Sequence, residues 1–190
     1  WTFPPGLFAR VAAGALFEHG GGRLGLVLGR YGVDALDLLG QQASFAAAAA
    51  TPGGTGALHH AISNFLEHGQ TVLTTSFYWG PYKTLAEQQG RELATFRMFD
   101  AAGRFDAAGF EVHLQQLLDA QGRALVLLNS PCHNPTGYSL DASEWDDVAA
   151  AVASASKKGP ITIAIDGAYA LYGARELAQT VVHVFSDRDC

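Results

Sequence analysis

The sequence predicts an α/β protein, organised as a three-layer α/β/α sandwich around a mostly parallel mixed sheet. Apolar runs of strand length alternate along the chain with amphipathic segments of helical length, which is the order expected of parallel β/α units. Residues 124–128 and 161–165 are apolar runs of the kind found in strands covered on both faces. A composition that is 48% hydrophobic over 190 residues is sufficient for one core and argues against disorder.

Charge and cysteine content narrow the class of protein further. The formal net charge of −6 comes from scattered acidic residues, which disfavours binding to nucleic acid or another polyanion. Two cysteines are too few for a disulfide framework, so a reducing compartment, the cytoplasm, is expected. The chain has no apolar stretch of membrane-spanning length and no secretory leader pattern at its start. It begins at Trp1 and ends at Cys190 after charged residues, and we expect both ends to be cuts in a longer chain.

The first fifty residues are the least regular part of the chain. Apolar residues recur at helical spacing over 5–19, which predicts an amphipathic helix ended by the glycines at 20–22. Residues 23–50 mix Gly, Leu and Ala without a clean period and are left unassigned. We therefore separate 1–50, a helix with an unassigned segment, from 51–190, where the β/α order is clear.

The middle of the chain predicts two β/α units. A glycine-rich loop, residues 53–56, opens a helix that we expect to end at Gly69. A buried strand follows over 71–78, then a short helix over 81–89 that stops at Gly90. Residues 92–99 alternate as a strand before a turn over 100–103.

The rest of the chain continues this order. Asp106 is placed to cap a helix that stops at Gly122, before the strand over 124–128. Asp141 and Glu144 have the spacing of a capping box, which predicts a helix from there to Lys158. The run over 161–165 ends in an aspartate, and residues 175–185 fit a helix better than a strand.

In open α/β sheets ligands bind at the carboxyl ends of the strands, so the residues that follow each apolar run are the candidates for a site. Three such segments are rich in chemically useful side chains, and the glycine-rich loop before a helix is a fourth. The segments are 76–81 (SFYWGP), 129–137 (NSPCHNPTG) and 166–169 (DGAY).

The glycine-rich loop fits a phosphate site. Small residues let backbone N–H groups approach an anion, Thr55 adds a hydroxyl, and the helix dipole adds attraction. A tight turn before a helix is the simpler interpretation of the same residues. The loop is neither a P-loop, since no Lys-Ser or Lys-Thr pair follows, nor a dinucleotide fingerprint.

The other segments also have two interpretations each. Asn134, Pro135 and Gly137 could serve only as turn residues, and Trp79 taken singly could be an ordinary core aromatic. Asp166 is different, because a carboxylate that ends an apolar strand is expected to be partly buried and then needs a cation or hydrogen-bond donors. It therefore indicates a ligand or a counter-charge.

Together these segments, within about residues 52–172, resemble the fold-type-I pyridoxal-phosphate (PLP) enzymes, and specifically the class I/II aminotransferases of the aspartate and aromatic type. The most specific matches are residues 132–137 (CHNPTG) and 166–169 (DGAY), some thirty residues later. The resemblance implies that 51–190 is part of the PLP-binding large domain and that the small domain is absent.

The same resemblance implies roles for individual residues. The cofactor phosphate would be held by Gly53, Gly54 and Thr55. The ring of Trp79 would stack on the pyridine ring, and Asn134 and Tyr169 would hydrogen-bond the phenolic oxygen of the cofactor. Asp166 would pair with the protonated pyridine nitrogen, which makes the cofactor an electron sink and gives Asp166 its catalytic role. His133 would support the site from behind, and Tyr82 stands where close relatives often have a histidine.

The family's Schiff-base lysine has no counterpart in this chain. The only lysines are Lys83, Lys157 and Lys158, and each is expected at the surface. In the family the lysine follows the aspartate-tyrosine segment by about one helix and one strand, which places it beyond Cys190. We therefore expect this chain alone to be inactive.

The resemblance implies transfer of an α-amino group from an amino acid, aromatic or dicarboxylic, to a 2-oxo acid, by a protein that is a homodimer when complete. Two alternatives stay open. One is another PLP reaction on the same scaffold, by a lyase or decarboxylase, and the other is a non-catalytic binding module that keeps the fold. A nicotinamide-dependent dehydrogenase is disfavoured, because both the glycine fingerprint and the acidic ribose contact are missing.

Overall fold

The computed structural model describes residues 13–19, 23–25, 51–169 and 172, with side chains from residue 51 onward. The strands are β1 Ala13–His19, β2 Arg23–Gly25, β3 Thr71–Thr75, β4 Glu92–Phe96, β5 Ala124–Asn129 and β6 Ile161–Gly167. The helices are α1 Gly53–Phe65, α2 Pro81–Gln88, α3 Ala107–Gln121 and α4 Ala142–Ala155, the last followed by a 3-10 turn at Ser156–Lys158. None of the helices in this described part is long and apolar enough to cross a membrane.

The strands form one mixed sheet in the order β2-β1-β6-β5-β3-β4. The four strands β4, β3, β5 and β6 run parallel to one another. At the other edge, β1 runs antiparallel to β6, and β2 runs antiparallel to β1. The predicted α/β class with a mostly parallel mixed sheet is therefore confirmed.

Helices cover both faces of the parallel strands, as the continuous burial of β5 requires. Leu125 and Leu127 of β5 pack in one apolar cluster with α1 and α2. Val126 and Leu128 point the other way and pack in a second cluster with α3 and α4. This alternation produces the three layers that the sequence predicts.

The predicted helix over residues 5–19 is wrong where the structure describes it. Residues 13–19 form strand β1, which pairs along its whole length with β6, from Ala13 opposite Gly167 to His19 opposite Ile161. Short Ala- and Gly-rich segments fit either period, and here the unpaired edge of β6 decides in favour of a strand. Residues 5–12 and the predicted helix over 175–185 lie outside the described residues, as do all of 26–50.

Helix α1 begins and ends earlier than predicted. The residues expected as a loop, 53–56, already form its first turn, and it ends at Phe65 rather than near Gly69. The Arg91 guanidinium donates to the Leu66 carbonyl at 2.6 and 3.2 Å and to the Ser63 carbonyl at 3.4 Å. Because these carbonyls at the end of the helix receive hydrogen bonds from a distant arginine, the helix needs no glycine cap.

The other predicted helix ends agree with the structure. The Asp106 carboxylate accepts a hydrogen bond from the Gly109 N–H, and Gly122 ends α3 with a left-handed φ of 73°. Asp141 and Glu144 form the complete capping box at the start of α4. Strands β3 and β4 stop three residues short of their predicted ends, and beyond them the Ser76 hydroxyl accepts from the Met98 N–H.

Candidate functional site

An open cavity of about 180 Å³ lies at the carboxyl ends of the parallel strands, next to the start of α1. Such an edge is the usual ligand site of open α/β sheets. Its walls bring together all of the predicted site residues except Gly53, namely Gly54, Thr55, Trp79, Asn134, Asp166 and Tyr169. Leu58, Asn129 and Ala168 complete the lining.

The first turn of α1 forms one wall of the cavity. Gly53 has a φ of 73° and donates its N–H to the Thr51 carbonyl at 2.7 Å, so its amide is engaged in a turn. The amides of Gly54 and Thr55 follow it at helix positions whose N–H groups have no intrahelical acceptor. Because this turn carries no acidic residue, its partial positive charge is available to an anion.

Asp166 also lines the cavity, near the end of β6, and is only 8% exposed. Its Oδ2 accepts from the Tyr82 hydroxyl at 2.6 Å and its Oδ1 from the Ala168 N–H at 3.1 Å. Burial raises the pKa of the Asp166 carboxyl, although the hydrogen bonds from Tyr82 and Ala168 and the proximity of His133 oppose that rise. No lysine or arginine of the described residues forms an ion pair with this carboxylate.

Asn129 connects three parts of the site and was not singled out from the sequence. Its buried amide nitrogen donates to the Asp166 carbonyl at 2.6 Å, and its Oδ1 accepts from the Asn134 N–H at 2.6 Å. It therefore fixes the loop that carries Asn134 against the end of β6. A polar residue directly after the apolar run over 124–128 is the feature that could have identified it, as it identified Asp166.

Asn134 and Tyr169 form the outer rim of the cavity. The Asn134 amide donates to the Tyr169 hydroxyl at 3.2 Å, although the two residues belong to different loops. Both side chains are open to the cavity. The contact places two polar groups where one ligand oxygen can reach both of them.

Trp79 lies at the cavity wall beside the buried Tyr82. The two rings are 5.8 Å apart and nearly perpendicular, at 87°, which leaves the indole supported from one edge. His133 is 2% exposed and lies behind the site, with Nδ1 2.9 Å from the Thr136 hydroxyl and Nε2 3.4 Å from the Thr75 hydroxyl. Burial lowers the pKa of its imidazole, so His133 is neutral at pH 7.

Comparison with known proteins agrees with this arrangement. The family model described as aminotransferase class I and II matches residues 36–189. The chain belongs to the class I and II aminotransferase family. The matched range contains every residue that lines the cavity.

Individual members of the aminotransferase family match parts of the chain. An aromatic-amino-acid aminotransferase of Paracoccus denitrificans is 32% identical over 70% of this chain and 33% of its own length. An aspartate aminotransferase of Escherichia coli is 32% identical over 53% of this chain and 26% of its own length. A solved aminotransferase of Anaerococcus prevotii superposes with a TM-score of 0.56 and 35% identity, over 58% of this chain and 28% of that one. The chain thus spans about a third or less of these relatives.

The three lysines do not line the cavity. Lys83 is exposed on α2 and pairs with Glu87 at 3.7 Å. Lys158 pairs with Asp119 at 2.8 Å at the end of α3, and Lys157 is exposed beside it. All three are surface residues, as the sequence predicts.

The residues around the cavity fit the cofactor that the family implies, PLP. The fit rests on two features of the cavity lining, the free amides of α1 for a phosphate and the buried carboxylate of Asp166 for a protonated ring nitrogen. A buried carboxylate without a cationic partner is unfavourable in an apolar core, and a cationic ligand would relieve it. Trp79, in the wall of the same cavity, offers an aromatic surface for a ring.

Proposed function

We propose that this protein is a PLP-dependent aminotransferase, which transfers an α-amino group from an amino acid to a 2-oxo acid. The observation that carries the proposal is the buried carboxylate of Asp166, which has no lysine or arginine partner among the described residues and lines the same cavity as the first turn of α1. Membership of the class I and II aminotransferase family supports it. We expect Gly54 and Thr55 to bind the cofactor phosphate through their amides, with Gly53 shaping the turn that precedes them.

The bound cofactor would supply an electron sink for the charge left when the α-proton of the amino acid is removed. In our proposal Asp166 holds a proton on the pyridine nitrogen, because a carboxylate in a buried setting pairs strongly with a cation. Trp79 sets the plane of the ring by stacking on it. Asn134 and Tyr169 donate hydrogen bonds to the phenolic oxygen, while Asn129 keeps the loop that carries Asn134 in register with Asp166.

Aromatic or dicarboxylic amino acids are the proposed donors. The relatives named aromatic-amino-acid, tyrosine and aspartate aminotransferases support this range. We also propose, from the family resemblance, that the complete protein is a cytoplasmic homodimer. Analytical ultracentrifugation of the complete protein tests the dimer, since a monomer at micromolar concentration would contradict it.

The test of the activity follows the amino group itself. The complete protein, supplied with PLP, is incubated with a ¹⁵N-labelled aromatic or dicarboxylic amino acid and an unlabelled 2-oxo acid, and the new amino acid is analysed by mass spectrometry. We expect the label in the product, and we expect Asp166→Asn to lower the rate by at least about 10² to 10³, the range seen when a preorganised electrostatic contact is removed.

The matched control is Asp147→Asn, which makes the same change at an exposed position of α4, on the far side of the sheet. It should leave the rate within about twofold of the unsubstituted protein. Release of ammonia or carbon dioxide, with no label transferred to a new amino acid, would instead identify a lyase or a decarboxylase. Absence of any reaction with these donors would overturn the proposed activity.

A further inference from the structure

Tyr82 occupies an unusual position for a tyrosine, since it is 1% exposed and yet belongs to the first turn of a short helix. Its ring packs in the apolar cluster that includes Leu125 and Leu127. Its hydroxyl donates to Oδ2 of Asp166, at 2.6 Å. A buried phenol needs a hydrogen-bond partner, and here that partner is the charged group of the candidate site.

The hydrogen bonds to Asp166 come from two different directions. The Ala168 N–H donates to Oδ1 from the loop after β6, and the Tyr82 hydroxyl donates to Oδ2 from α2. With one donor on each oxygen, the plane of the carboxylate is fixed. The Tyr82 ring is itself held edge-on by Trp79, at 5.8 Å. A rotation of Asp166 away from the cavity would therefore break a short bond and leave a buried donor unpaired.

We propose that Tyr82 is a positioning residue, whose hydroxyl holds the Asp166 carboxylate in its charged form and in one orientation toward the cavity. This inference rests on the proposed function, in which Asp166 meets the cofactor. Burial alone favours the neutral acid, whereas a donor on Oδ2 stabilises the carboxylate more strongly than the neutral acid. Tyr82 thus opposes the effect of burial at the oxygen that it contacts.

A phenol also gives this support over the whole neutral pH range. Burial, followed by the charge of Asp166, raises the pKa of Tyr82 well above its ordinary value, so the hydroxyl keeps its proton. The other titratable groups near this pair are His133, which interacts with Asp166, and Tyr169, which interacts with Tyr82 and lines the same cavity as Asp166. Burial lowers the pKa of the His133 imidazole, so its change of charge lies below pH 7.

The experiment measures the titration of Asp166 in the protein without cofactor. The complete protein is labelled with ¹³C at the aspartate carboxyl carbons, and the Asp166 resonance is assigned as the one missing in Asp166→Asn. In Tyr82→Phe we expect the midpoint to rise by about one pH unit, a tenfold gain in proton affinity, because the carboxylate loses a charge-assisted hydrogen bond. Tyr82→His, which restores a donor, should return most of that shift.

The matched control is Tyr78→Phe, four residues earlier, where the hydroxyl makes no hydrogen bond within the described residues. It should leave the Asp166 midpoint unchanged. An unchanged midpoint in Tyr82→Phe, or an equal shift in Tyr78→Phe, would overturn the proposed role. If Tyr82→Phe does not fold, the unsubstituted protein labelled with ¹³Cζ-tyrosine provides the test. The Tyr82 chemical shift should change with pH at the Asp166 midpoint. A Tyr82 chemical shift that does not change with pH there would contradict the contact.

Calorimetric binding of pyridoxamine 5′-phosphate, which needs no lysine, separates this inference from the function on which it rests. If the unsubstituted protein binds pyridoxamine 5′-phosphate but the Asp166 midpoint is unshifted in Tyr82→Phe, only the proposed role of Tyr82 is refuted. Absence of binding by the unsubstituted protein would refute the proposed cofactor site, and with it the purpose that we assign to Tyr82.

Discussion

Replacement of Asn129 by alanine tests how the site is held together. The Asn129 amide bridges the Asp166 carbonyl and the Asn134 N–H, with both distances 2.6 Å, and the residue is 5% exposed. Alanine removes both hydrogen bonds and adds no new polar group. The change therefore separates the loop that carries Asn134 from the end of β6 without touching the cavity charges.

The expected loss in the free energy of unfolding depends on which hydrogen bonds the two former partners of Asn129 retain. The Asp166 carbonyl still accepts from the Ser130 N–H at 3.2 Å, so this loss is expected to cost about 0.5–1 kcal/mol. The Asn134 N–H is half-buried and gains only partial access to water, which adds about 0.5–1.5 kcal/mol. With the small void left by the amide group, Asn129→Ala should lower the free energy of unfolding by about 1–3 kcal/mol.

The assay is urea unfolding at pH 7, followed by circular dichroism, with Asn64→Ala as the control. Asn64 is exposed on α1, so its replacement should change the free energy of unfolding by about 0.5 kcal/mol or less, in the stabilising direction because alanine favours helices. We also expect weaker binding of pyridoxamine 5′-phosphate to Asn129→Ala. If Asn129→Ala lowers the free energy of unfolding by no more than the size of the change in Asn64→Ala, the bridging role of Asn129 is refuted.

Three further changes have directions fixed by the structure. Glu144→Leu removes an acceptor that is 2% exposed and binds the Phe105 N–H, the Tyr138 hydroxyl and the Asp141 N–H, so urea unfolding should show a loss of about 3 kcal/mol or more. Gly122→Ala places a side chain at a φ of 73° and should cost about 1 kcal/mol in the same assay. Without cofactor, the raised pKa of the Asp166 carboxyl means that this group's own contribution to stability is most favourable below its unfolded pKa and is lost as pH rises through its folded pKa. Asp166→Asn should remove this contribution from stability–pH profiles.

The parallel part of the sheet could be predicted because its information is local. The apolar run of β5 and the caps at Asp106 and Asp141 depend on neighbouring residues, and the structure confirms them. Strand β1 depends instead on the free edge of β6, almost 150 residues later, and its own Ala- and Gly-rich sequence does not specify a period. The end of α1 likewise depends on Arg91, which no pattern within the helix reveals.

The candidate site shows the same division. Asp166 and Trp79 could be proposed from their places after apolar runs and from the family resemblance, and both line the cavity. Two hydrogen bonds of the site could not be predicted in this way. Asn129 donates to the Asp166 carbonyl 37 positions later, and the Tyr82 hydroxyl donates to the Asp166 carboxylate 84 positions later. Hydrogen bonds of this kind depend on side-chain direction across the sheet edge, which spacing along the chain does not determine.

The most direct test of the account is calorimetric titration of the complete protein with pyridoxamine 5′-phosphate. We predict one binding site per chain, with affinity strongly reduced by Asp166→Ala and unaffected by Asp147→Ala on the far side of the sheet. Absence of binding, or binding that is indifferent to Asp166→Ala, would contradict the claim that this cavity holds the cofactor of an aminotransferase.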